Sequence, residues 1–219
     1  MSVIYDSPSI SLKKTGDYWE LSIDNSNDFG KSLPLSKLDI ISRVTNSGLE
    51  TIVFKAEKVQ TLESILTNRL NFTKRLNYTT ASNLFNDLSK QLQSLEVLNL
   101  GLSFLCTTDI VVVDGKHFFH LNNRNVHNIV NGTEMVIDLP RTTSLFISPE
   151  MLGLTNFPMK IHFKSGYYSM GSLVLYCLTG NLVNETTKTK ILESINTTQL
   201  HNNLILTLKY LPVNRVLVI

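Results

Sequence analysis

The chain has 219 residues, 42% of them apolar and 17% charged, with a formal net charge of +2 at pH 7. That length and apolar content suffice for one sizeable core or two small lobes, and they exclude an extended disordered chain. So weak a charge argues against nucleic acid or an anionic membrane as partner, and no apolar run approaches the roughly 20 residues of a spanning helix.

The opening residues Met1 to Ile10 contain no apolar leader stretch and predict a cytoplasmic protein. Ile10–Lys13 and Tyr18–Ile23 are β-rich runs on either side of Thr15-Gly16-Asp17, and Leu38–Val44 and Leu49–Phe54 flank Thr45-Asn46-Ser47-Gly48. Both pairs predict hairpins. Thr61–Leu70 has helical spacing at Leu62, Ile65, Leu66 and Arg69. Thr79–Leu98 is the clearest helix, with Leu84, Phe85, Leu88, Leu92 and Leu95 on one face, Thr79 or Thr80 to cap it and Asn99-Leu100-Gly101 to end it. Val111–Phe119 reads as a hairpin turning at Asp114-Gly115, and about Val126 to Leu139 as a second one turning at Asn131-Gly132. The run Ser169–Gly180 reads as a buried helix. Two more helices follow from Lys188, and Val216–Ile219 is an apolar tail expected to dock on the core.

Few side chains suggest chemistry. Cys106 and Cys177 sit in apolar contexts and read as reduced thiols. Histidines 117, 120, 127, 162 and 201 lack metal-ligand spacing, and no hydrolase, zinc-protease or nucleotide-loop motif is present. Glu150 is different. It follows Pro149 and precedes Met151-Leu152, so a carboxylate enters an apolar neighbourhood and needs a cation.

Ser148-Pro149-Glu150, the run Ser169-Met170-Gly171-Ser172-Leu173-Val174-Leu175-Tyr176-Cys177-Leu178-Thr179-Gly180 and Arg215 together resemble the C-terminal lobe of a protein kinase. There an (A/S)-P-E tripeptide closes the activation segment, a helix of this pattern is buried, and a late arginine pairs with the glutamate. The resemblance implies an α+β, protein-kinase-like bilobal fold, with a reduced β-rich N-lobe in residues 1–75 and a mainly helical C-lobe in residues 76–219. Pro149, Glu150, Gly171 and Arg215 become its structural landmarks. Thr51-Ile52-Val53-Phe54-Lys55 resembles the strand that carries the phosphate-binding lysine, which implies that role for Lys55, with Glu63 as the acid to pair with it. The phrases KLDIISRV, DIVVVDGKHFF, FISPEM and YYSMGSLVLYCL resemble short, degenerate serine/threonine kinase-like proteins of giant DNA viruses. This implies a viral protein made in an infected cell.

The parts that perform chemistry depart from the pattern. No G-x-G-x-x-G loop exists, Leu102, Ser103 and Phe104 fall on the His-Arg-Asp positions, and Asn122 stands where an aspartate would hold Mg²⁺. Asp109 falls on the position of the second metal ligand. The sequence therefore predicts a pseudokinase with no catalytic residue, no metal and no cofactor. It would bind a protein partner, such as a viral or host kinase or its substrate. The alternative is a divergent ATP-dependent kinase using Lys55 on phosphates and Asp109 or Asn122 for Mg²⁺. An unrelated α+β structural protein is the third reading.

Overall fold

Alternation of apolar residues builds the first layer. In the computed structural model, which describes residues 2–24, 28–67, 75–138 and 144–218, strands β1 (Ser2–Asp6), β2 (Ile10–Thr15), β3 (Tyr18–Asp24), β4 (Asp39–Asn46) and β5 (Leu49–Lys55) form an antiparallel sheet in the order β1-β2-β3-β5-β4. Trp19, Leu21 and Ile23 of β3 and Ile52 and Phe54 of β5 point to one buried face, the two-residue period expected of a half-covered sheet. Both predicted hairpins are present. The turn between β4 and β5 uses Ser47 and Gly48, at φ 48° and 86°, a backbone that favours glycine at the second position. Strand β1 was not anticipated. Between β3 and β4, two 3-10 turns, Asp28–Ser32 and Leu35–Lys37, send Phe29, Leu33 and Leu35 into the core.

Helix α1 (Leu62–Thr67) follows the short strand β6 (Val59–Thr61); the predicted continuation to Leu70 lies outside the described residues. Helix α2 (Tyr78–Val97) is the long helix of the sequence, but its cap is Asn77, whose side chain accepts from the Thr80 amide at 2.8 Å, rather than Thr79 or Thr80. Asn99 ends it at φ 56°. Strands β7 (Leu100–Leu102), β8 (Ile110–Val113) and β9 (His117–His120) come next, and β6, β8 and β9 form a sheet in that order. The predicted second hairpin, β10 (Val126–Val130) and β11 (Glu134–Ile137), is the middle of a larger sheet, β12-β11-β10-β7, closed by β12 (Met159–His162). Helices α3 (Ser165–Thr179), α4 (Lys188–Glu193) and α5 (Gln199–Thr207) complete the chain. Of the apolar tail, Leu217 packs on the core while Val216 and Val218 are exposed; Ile219 lies outside the described residues.

Two polar residues on the buried face of α2 join these layers. β9 is the last strand of its sheet, so its outer backbone groups have no strand partner. Asp87 accepts from the Phe118 amide at 2.9 Å, and Gln91, one turn on, accepts from the His120 amide at 3.0 Å and donates to its carbonyl at 2.8 Å. A helix thus satisfies groups that a buried strand edge would otherwise leave unpaired. The second Asp87 oxygen receives Lys37 from the 3-10 turn after β3, which ties the first sheet to α2.

The His120 ring, by contrast, has no partner for either nitrogen, and Phe29 meets it edge-on with ring centroids 6.1 Å apart. Burial pushes its pKa from 6.5 down to about 3, because the charged ring would have no acceptor. The unfolded chain takes up this proton first. Stability from a neutral His120 is therefore complete above pH 6.5 and falls as pH drops toward 3. In denaturant titrations across that window, His120→Leu is expected to lose less stability on acidification than the wild type. Parallel curves for the two proteins would refute this.

Candidate functional site

A polar cluster assembles where the β1–β2 connection meets the ends of β8 and β9. The 3-10 turn Thr107–Asp109 leads into β8, and its Asp109 carbonyl accepts from the Leu121 amide at 2.9 Å, just after β9. This brings Asn122 beside Asp109, and the Asn122 amide donates to the Asp109 carboxylate at 2.9 Å. The Asn122 side-chain oxygen accepts from the Arg124 amide at 2.9 Å. Asn123 reaches across to the first sheet and donates to the Ser9 hydroxyl at 3.0 Å. Tyr5, buried in β1, and Cys106, half-buried before the turn, complete the cluster.

Low dielectric dominates the electrostatics. Burial raises the Asp109 carboxyl above its ordinary value, against the hydrogen bond from Asn122 and the charge of Arg124. Burial, with the Asp109 charge adding to it, raises the Tyr5 hydroxyl and pushes the Cys106 thiol up to about 11. A thiol so protonated is a poor nucleophile at neutral pH.

Of the residues that the sequence singled out, Asp109 and Asn122 come together and Lys55 stays apart. Lys55 is exposed at the end of β5, opposite Asp39, and makes no ion pair among the described residues. Glu63 is not its partner: its carboxylate accepts from the Thr107 hydroxyl and ties α1 to the 3-10 turn. Phe104 is buried in the core, 2% exposed. Tyr5, Ser9, Asn123 and Arg124 were missed, because they converge from segments far apart in the chain and none carries a local motif.

The second cluster surrounds Glu150. Arg215 is fully buried, and it donates to both Glu150 oxygens, at 2.6 and 2.7 Å. The guanidinium also donates to the carbonyls of Lys209 at 2.8 Å, Tyr210 at 2.8 Å and Lys164 at 3.2 Å, and lies 5.0 Å from the centre of the Tyr168 ring. Ser165, at the start of α3, donates to Glu150 at 2.7 Å. Burial alone would raise the Glu150 carboxyl. The hydrogen bonds from Arg215 and Ser165 and the Arg215 charge outweigh burial and hold it below the usual range. Pro149 opens the 3-10 turn carrying this glutamate, and Gly171 lies where α3 meets α5.

An open groove of about 490 Å³ starts at Asn123 and follows β10, lined mainly by Phe29, Leu100, Val126, Val130 and Val136. Among the described residues no group of three acids, histidines or cysteines could hold a metal ion, and no helix is long and apolar enough to cross a membrane. No protein-family model matches the chain. No curated protein matches it in sequence.

Proposed function

We propose that the chain is a pseudokinase, a kinase-like module without phosphotransfer that works by binding another protein. The observation that carries this reading is the bonding of the polar cluster around Asp109. Its carboxylate, Asp109, is bonded to an amide at Asn122, and the β1–β2 connection is bonded down through Ser9 onto Asn123. A Mg²⁺–nucleotide needs charged oxygen ligands for the metal and backbone N–H groups around the phosphates. The residues here do not fit that group: the Asp109 carboxylate is bonded to an amide, and Lys55 lies exposed and makes no ion pair among the described residues. The bilobal kinase-like arrangement is supported by the Glu150–Arg215 pair, which the family resemblance implies, and by a β-rich sheet in residues 1–75 followed by the long helices. The open groove along β10, where five apolar residues are joined by Asn123, His127 and Asn128, suits a protein chain better than a phosphate. The partner would be a viral or host kinase, or a kinase substrate, met in the cytoplasm of an infected cell.

Calorimetric titration with ATP, with and without Mg²⁺, tests the reading. We expect no heat, or binding no tighter than millimolar, about −4 kcal/mol. Turnover and autophosphorylation with Mg²⁺ or Mn²⁺ should stay at background. Activity above background that disappears in Lys55→Ala would establish the divergent kinase instead.

A further inference from the structure

The first sheet ends in an edge, β4, that nothing covers among the described residues. β4 pairs with β5 alone, and of its eight residues only Ile40 is half-buried; the others are exposed. Ile41 and Val44 are 49% and 51% exposed. Natural sheets blunt such an edge with charge, proline or a bulge. Here the register shift lies at the start, between Ile40 and Ser42. The one cation, Arg43, is paired with the buried Glu50. Ser42, Val44, Thr45 and Asn46 add no charge.

The hairpin fixes which backbone groups face outward. A two-residue turn, Ser47-Gly48, closes on the pair Asn46–Leu49, so Asn46, Val44 and Ser42 bond inward to β5. Arg43 and Thr45 then present their N–H and C=O groups to solvent. Main-chain groups in this spacing are matched by another strand.

We infer that β4 pairs antiparallel with β4 of a second copy of this chain, about a twofold axis at Val44. Outward-facing residues must oppose outward-facing residues, which leaves few registers. Centring on Arg43 would set two guanidinium groups side by side. Centring on Val44 sets Arg43 against Thr45 of the second copy, Ser42 against Asn46, and Val44 against Val44 on the face turned away from the core. No like charges meet, and Asp39 lies beyond the paired stretch. Such an interface is isologous and self-limiting, because each copy offers a single β4. This inference does not rest on the pseudokinase reading.

Light scattering across a concentration series tests it, with circular dichroism to verify the fold of each variant. The wild type should approach twice the 24.7 kDa chain mass. Thr45→Pro removes one outward donor and no bond to β5, and Val44→Lys opposes two cations. Each should weaken association at least about tenfold. Val44→Cys should form an interchain disulfide on mild oxidation, since only that register brings the two positions together. A wild type that stays monomeric at its highest soluble concentration overturns the proposal. So does a dimer that persists in both variants, or a folded Val44→Cys dimer that does not cross-link.

Discussion

Arg215→Ala and Glu150→Ala should each cost about 3–5 kcal/mol, a large share of a stability of about 5–15 kcal/mol. The two losses differ in kind. Glu150→Ala leaves a fully buried guanidinium whose remaining acceptors are neutral carbonyls. Arg215→Ala leaves a carboxylate whose side chain is 23% exposed and still holds Ser165. It also removes the group on which the Lys209 and Tyr210 carbonyls converge, so the last turn of the chain loses its anchor. Because each single variant breaks the same pair and strands its other member, the double variant should be less damaged than the sum. Chemical denaturation of the four proteins measures this; strict additivity would mean that the pair contributes no coupling. Acid should act in the same direction. A carboxyl held below its unfolded value contributes stability above that value and loses it as pH falls through the folded one.

Gly166→Ala should be more damaging than Gly171→Ala, although both lie in the same helix. A methyl at position 166 would stand 2.4 Å from the Leu102 carbonyl oxygen, a backbone atom of β7 that can move only with its sheet. At position 171 it would stand 2.5 Å from the Thr207 hydroxyl and 3.2 Å from Leu208, buried side-chain atoms whose displacement need not move a sheet. Overpacking costs about 1–3 kcal/mol or more, while alanine recovers up to about 1 kcal/mol of helix propensity. The expected outcome is a loss near 3 kcal/mol at Gly166 and nearer 1 kcal/mol at Gly171. Thr207→Ala should rescue part of the second and none of the first. Equal melting temperatures for the two variants would contradict the packing of α3 described here.

The turns were legible in the sequence because they demand particular residues. Asn46-Ser47-Gly48, Asp114-Gly115 and Asn131-Gly132 lie at hairpin ends, and Asp114, Gly115, Asn131 and Gly132 all have positive φ. α2 was legible from its apolar stripe, and the need of Glu150 for a cation from the cost of burying a lone carboxylate, while the choice of Arg215 as that cation came from the family resemblance. β1 was not, because Ser2–Asp6 carries one buried side chain, Tyr5, and too little alternation to read. β12 was missed because its partner β11 begins about 25 residues earlier, and nothing local announces that pairing. Asp109 and Asn122 could be singled out by position. Ser9 and Asn123, which are bonded beside that pair, meet only through the fold, 114 residues apart. The Asn77 cap shows a simpler limit: three residues able to cap within four positions, Asn77, Thr79 and Thr80, left the first helical turn ambiguous.

The way α2 closes the edge of β9 leaves a fingerprint by which distant cousins of this chain could be found. Apolar core positions drift freely among Leu, Ile, Met and Phe as long as volume is kept. Asp87 and Gln91 cannot drift in that way, because an apolar replacement would leave the amides they serve unpaired. An aspartate and a glutamine four residues apart on the inward face of a helix, with a short strand 29 to 31 residues downstream, should therefore outlast most of the surrounding identity. Ancestry is then better sought in that spacing than in overall similarity.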